Sequence, residues 1–200
     1  MPTTVMRWRP LSAPGVTKNV LIATNADGCL YHFHTTSGKI LNKVSGDGGA
    51  LLTCDYKPDG LEFLTGGEDG KVRVYDERTR QLKDNLEGGG NGLPGHTNRV
   101  FCAKFVNEDP NMIVSGGWDK NIKIWDVRAN ACVQQVIGPS ICGDSIDVHG
   151  DFILSGQYET EEQLQMWQLK TGTLVETISF DQKLPSEKPC KLYSCQFQKL

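Results

Sequence analysis

Residues 95–127 read GHTNRVFCAKFVNEDPNMIVSGGWDKNIKIWDV. RVFCAKF (99–105) is a short, mostly apolar run, and NEDPN breaks it. MIVSGG (112–117) is a second run, WDK a tight turn, and NIKIWDV (121–127) a third run with alternating apolar residues. RANA turns the chain again before CVQQVI (132–137). Runs this short with period-two alternation, punctuated by Gly, Asn, Asp and Pro, predict an antiparallel meander of four strands.

The unit recurs. An acid stands six residues before an aromatic four times: Asp27 and Phe33, Asp69 and Tyr75, Asp119 and Trp125, Glu161 and Trp167. The aromatics are 42, 50 and 42 residues apart, a period that marks one structural unit copied in tandem. The second copy runs LLTCDY, KPDG, LEFLTGG, EDG, KVRVYD, ERTRQ, LKDNLE; the first and fourth follow the same order with longer turns, the fourth opening on ICGDSIDV (141–148) as its expected first strand. Approximate units are 1–47, 48–92, 93–138 and 139–186. KLYSCQF, within 190–200, opens a fifth copy, with Leu192–Phe197 as its expected first strand.

Composition narrows the function classes. A formal net charge of −3 over 200 residues leaves no electrostatic footprint for nucleic acid or an anionic membrane, so neither is expected as a partner. Seven cysteines without close pairs make a poor disulfide framework and a poor zinc site. The first residues, MPTTVMRWRP, lack the apolar stretch of a secretory signal, and a reducing, cytoplasmic location is expected. Cys54, Ala103, Ile146 and Cys195 share one position in the unit, which makes Cys54 and Cys195 core thiols.

The pattern GH…SGGWDKNIKIWD (95–126) resembles the WD-repeat (WD40-type) β-propeller family. That resemblance implies an all-β fold of four-stranded blades around a central axis. It gives four complete blades plus the first strand of a fifth, hence a partial or half propeller. It also implies a buried hydrogen-bonded chain through His96, Ser115, Asp119 and Trp125. The second copy keeps Thr65 and Asp69 but has Tyr75, the first has Ala23 for the hydroxyl, and in the fourth Ser155 lies twelve residues before Trp167. Three arrangements remain open: part of a longer propeller, a half-ring completed by a second copy or another chain, or a closed ring of four.

No nucleophile, acid–base or metal motif stands out, so the chain is read as a non-enzyme without cofactor or metal. GDSID (143–147) lacks the closing glycine of a nucleophile elbow, and EGGGNGLPGH (87–96) lacks the Lys of a phosphate loop. His32 and His34 share a strand face but have no evident third ligand. The family resemblance points instead to partner binding on the top face, at three positions per blade. In the third blade these are Arg99, Phe101 and Trp118; in the second, Ala50, Leu52 and Glu68. The fourth adds Cys142 and Asp144, and the fifth strand Lys191 and Tyr193. Trp118 is either an exposed anchor or folded over its own blade. Two Asp-x-Arg boxes, ending at Arg78 and Arg128, resemble the adaptor contacts of cullin–RING substrate receptors, although a turn cap explains them more simply. The expected function is a non-enzymatic interaction scaffold, with the ligase substrate receptor as alternative.

Overall fold

A computed structural model describes residues 2–13, 17–46, 48–88, 92–179 and 190–198. The first blade is β1 (Thr3–Trp8), β2 (Val20–Asn25), β3 (Cys29–His34) and β4 (Lys39–Ser45). The second is β5 (Leu51–Tyr56), β6 (Glu62–Gly67), β7 (Val72–Asp76) and β8 (Leu82–Leu86). The third is β9 (Val100–Phe105), β10 (Met112–Gly117), β11 (Asn121–Asp126) and β12 (Ala131–Ile137). The fourth is β13 (Ile146–His149), β14 (Phe152–Gly156), β15 (Leu164–Gln168) and β16 (Leu174–Thr177). Each blade is an antiparallel sheet whose strands lie in chain order.

Register follows the sequence repeat. Ser115 pairs with Lys123, Thr65 with Arg73, Ala23 with Tyr31 and Ser155 with Gln165. The two extra residues of the fourth copy are therefore absorbed in its middle turn, where Gln157 N–H bonds the Gln163 carbonyl at 2.7 Å. The turn residue after the acid takes a left-handed conformation: Gly28 and Gly70 at φ 77°, Lys120 at 58°.

Alternation gives each blade two apolar faces, and neighbouring blades bury them together. Phe63 and Tyr75, stacked at 5.1 Å, meet Ile22 and Leu30 between blades one and two. Trp125 and Ile113 meet Leu64, Val72 and Val74 between blades two and three. Trp167 and Ile153 meet Val114, Ile122 and Ile124 between blades three and four. At roughly 25 cal/mol per Å² of apolar area, these three seams are the main stabilisation of the arc.

Two expectations need correction. β13 begins at Ile146 instead of at Ile141, because Gly143, at φ 78°, turns the chain before it can pair with β14. Leu192–Phe197, expected as a fifth blade's first strand, has no sheet partner among the described residues. Its placement nonetheless repeats the blade-to-blade pattern. Phe197 N–H bonds Asp147 Oδ2 at 2.9 Å, as Phe105 N–H bonds Asp55 Oδ2 at 3.0 Å. A strand needs a neighbour for its N–H and C=O groups, and here only the blade-stacking contacts are present.

Candidate functional site: the top face

In a meander the turns alternate between two ends. The middle turns, carrying Glu68 and Trp118, and the blade-to-blade connections share the top end. The first and third turns share the bottom.

The third blade holds its top by a side-chain chain. His96 Nδ1 lies 2.8 Å from Asp119 Oδ2, and its Nε2 lies 2.7 Å from Ser115 Oγ. Trp125 Nε1–H donates to the same Oγ at 2.8 Å. One polarity satisfies every partner: indole to hydroxyl, hydroxyl to imidazole, imidazole to carboxylate. Burial raises the Asp119 carboxyl, but the His96 hydrogen bond and the Thr97 and Asn121 N–H groups outweigh it and hold the pKa below the usual carboxylate range. The fourth blade keeps one link, Trp167 Nε1–H to Ser155 Oγ at 2.9 Å. In the second blade Arg73 takes Asp69 in a two-point contact at 2.5 and 3.3 Å. Thr65 Oγ1 there is buried without a partner among the described residues.

On this frame the structure brings Glu68, Arg99, Phe101 and Trp118 together. The Arg99 guanidinium lies 5.8 Å from the Trp118 ring centre, and Phe101 packs against the same ring at 4.9 Å. Arg99 also pairs with Glu68 of the neighbouring blade, and Glu68 in turn reaches the Ala50 N–H at 3.5 Å. Trp118 does rest on its own blade, yet it stays 43% exposed. Buried Cys142 touches it from the fourth blade. Leu52 is half-buried on β5. Tyr193 is exposed and lies over Gly143, whose missing side chain makes room for the ring. Lys191 is occupied by the Tyr158 ring at 4.7 Å.

Other candidates separate. Asp144 faces the axis, where Arg7 of the first blade reaches it at 2.6 Å. Lys104 bridges Asp144 and Asp147 at 3.7 and 3.2 Å, and Arg7 also meets Asp55 at 3.6 Å. Burial pushes the Asp55 carboxyl up to about 6 against the pull of Arg7. Arg128 is held by its own Asp126 through two bonds of 2.8 and 3.1 Å, the turn cap expected of the simpler reading. His32 and His34 diverge: His32 Nε2 meets Glu77 at 3.0 Å and His34 Nδ1 meets Ser37 at 2.7 Å. Among the described residues no group of three or more His, Cys, Asp or Glu is placed to hold a metal. The described cysteines are all free thiols; Cys54 lies in the core as expected, whereas Cys195 is only half-buried because no further blade packs over its strand among the described residues, and burial pushes both to about 12.

Comparison with known proteins supplies the family. The family model for the WD domain, G-beta repeat, matches residues 38–76 and 91–126, which end at the third strands of blades two and three. This chain carries WD repeats. The solved structure of U3-55K superposes with a TM-score of 0.72 at 14% identity, over 86% of this chain and 50% of that one. The fold is thus a WD-repeat β-propeller arc. Protein tipD of Dictyostelium discoideum is 21% identical over 80% of this chain and 25% of its own length. Pre-mRNA-processing factor 19 of Mus musculus is 32% identical over 64% of this chain and 25% of its own. The WD-repeat chain therefore spans about a quarter of the length of these relatives.

Sequence reading missed two charged groups of this WD-repeat arc. One is the axial set of Arg7, Lys104, Asp55, Asp144 and Asp147. The other is a buried cluster at the seam of blades one and two. There Glu77, only 3% exposed, meets His32, Arg9 and the Tyr56 hydroxyl. A comparison between copies held the signal for the second. His32 stands where the other blades place Val74, Ile124 and Met166, and Glu77 where they place Val127 and Leu169.

Proposed function

We propose that this WD-repeat chain is a non-enzymatic scaffold that binds a protein partner through Glu68, Arg99, Phe101 and Trp118 on its top face. The observation that carries the reading is Trp118. An indole held between Arg99 and Phe101 is fixed before any partner arrives, yet nearly half of it meets water. Exposed Trp and Arg in one preorganised patch are the residues that most often dominate interface energies. Leu52 and Tyr193 extend the patch to either side. The family supports a role in protein interaction, and the seven free thiols fit a reducing, cytoplasmic setting.

The test is affinity capture with the wild-type chain, Trp118→Ala and Arg99→Glu, each checked for an unchanged unfolding curve. Selective loss of bound proteins from both variants is expected. Capture that is the same for all three chains removes this face from consideration.

The ligase-adaptor reading requires free guanidiniums at both Asp-x-Arg boxes. Arg128 is tied to Asp126, which favours the scaffold. Co-purification with the adaptor, abolished by Arg128→Ala, would reinstate it. A second copy or another chain covering the first blade has a separate rationale, since Met6 and Trp8 on β1 are 59% and 63% exposed. Light scattering that stays monomeric at high concentration excludes the second copy.

A further inference from the structure

The bottom end holds a cavity of about 620 Å³ between blades one and two. Its lining includes Arg9, His32, Leu41, Leu61, Arg78 and Arg80. Three features set it apart from the equivalent places in the other seams.

First, its wall is polar where theirs are apolar. Val74 and Val127 belong to the apolar seam between blades two and three, as Ile124 and Leu169 belong to that between blades three and four. His32 and Glu77 occupy the same positions here. Burying the Glu77 carboxylate with the Arg9 guanidinium costs several kcal/mol per ion before any return from pairing, so packing alone does not select this cluster.

Second, the cavity carries polar atoms that the fold leaves unused. Glu77 Oε2 accepts from His32 and the Tyr56 hydroxyl, and its Oε1 faces Arg9 as an ion pair. Arg9 Nε, Arg80 Nε and His32 Nδ1 are buried without hydrogen-bond partners among the described residues. The Arg9 side chain is 7% exposed and His32 fully buried. Unpartnered buried polar atoms are uncommon enough in native proteins to require an explanation.

Third, Arg78 is released by a local change of sequence. In the third blade Asp126 holds Arg128. In the second, the Thr79 N–H and hydroxyl both donate to Asp76 Oδ1, at 2.7 and 2.9 Å. The third blade has Ala129 at the Thr79 position and so has no hydroxyl to compete. Neither Arg78 nor Arg80 has a carboxylate partner among the described residues. Beside them Leu41 and Leu61 are 44% and 49% exposed.

We propose that this bottom cavity binds an acidic peptide segment of a partner protein, with Arg78 and Arg80 taking its carboxylates and Leu41 and Leu61 its flanking apolar side chains. The planar, always-charged guanidinium is the side chain best matched to a carboxylate. The volume is too large for a single small anion, and the apolar rim offers nothing to one. His32 Nδ1, an acceptor when Nε2–H donates to Glu77, suits a peptide N–H. Because the cavity opens at the end opposite Trp118, it can be occupied whether or not the top face is.

The experiment is fluorescence anisotropy on the full chain, with a labelled twelve-residue peptide of alternating Leu and Glu. The control peptide replaces every Glu by Gln. The acidic peptide should bind in a salt-sensitive way, the control at least ten-fold more weakly. Arg78→Gln/Arg80→Gln should weaken binding at least ten-fold with unchanged circular dichroism, and Trp118→Ala should leave it intact. Inorganic phosphate at millimolar concentration should not displace the peptide. No binding, equal binding of the control, full binding by the double variant, or ready displacement by phosphate would each overturn the proposal. Loss on Trp118→Ala alone would move the site to the other face.

Discussion

Ser115 carries two buried bonds on one oxygen, and its loss orphans two neighbours at once. In Ser115→Ala the Trp125 N–H has no acceptor and His96 Nε2 no donor. The expected cost is about 1–3 kcal/mol in urea unfolding, the penalty for a stranded buried polar group. Thr65 is the contrasting case. Its hydroxyl already has no partner among the described residues, so Thr65→Val should be neutral or mildly stabilising in the same assay. His32 makes a prediction in pH. Burial, followed by the charges of Arg80 and Arg9, lowers its pKa from 6.5 to about 3. Below about 6.5 the unfolded chain therefore binds a proton that the folded chain refuses, and stability falls as pH drops toward about 3. His32→Leu lacks this component. The gap in urea midpoint between wild type and variant should narrow as pH falls from 7 toward 4; a constant gap contradicts a buried neutral imidazole. Glu77, Arg9, Arg80 and Tyr56 surround the ring and remain in both proteins.

At the scale of the element, the middle turn shows how much local chemistry the repeat tolerates. Gly70 has φ 77°, and an added Cβ would lie 3.0 Å from the carbonyl oxygens of both His96 and Asn98. Gly70→Ala should therefore destabilise by about 1–2 kcal/mol, the ordinary cost of a side chain in the left-handed region. Lys120 occupies the same place at 58° in the third blade, so Lys120→Gly should cost far less or stabilise; matched thermal melts compare the two. The strands themselves were legible because their apolar alternation is dictated by burial on both blade faces. The strands of blades two and three lie where short apolar runs and turn residues place them, and β13 is shorter than its run. The His96–Asp119 chain was legible because its residues recur at fixed spacing. The Glu77 cluster was not, since Glu77 follows Asp76 at a turn and reads as solvated until register sets it against His32. The axial charges escaped for a similar reason: Arg7 and Asp144 lie 137 residues apart, and no local pattern joins them. Arg128 illustrates the converse, a motif with a functional look whose guanidinium is consumed two residues away.

For the whole molecule the axis matters most. Arg7 links the first blade to the fourth through Asp144 and touches Asp55 of the second. Arg7→Met would leave two partly buried carboxylates short of a counter-charge. The expected loss is about 1–3 kcal/mol, and it should shrink when Asp144→Asn is added. Denaturation of the single and double variants measures this coupling. The polar seam between blades one and two has a different bearing, on assembly. Tandem copies face a sorting problem, because any apolar blade face can adhere to the wrong neighbour while the chain folds. In the other two seams the core clusters are aliphatic and aromatic, and such surface discriminates poorly. His32 finds an acceptor only against Glu77, so an incorrectly stacked first blade would bury an imidazole against Val127 or Leu169. The seam thereby acts as an address, fixing which copy comes first in the stack. Replacing the pair by His32→Val and Glu77→Val, with Arg9→Met to remove the stranded charge, should preserve folding but lower the yield of monomer recovered on refolding from urea. An undiminished yield would show that blade order is set elsewhere.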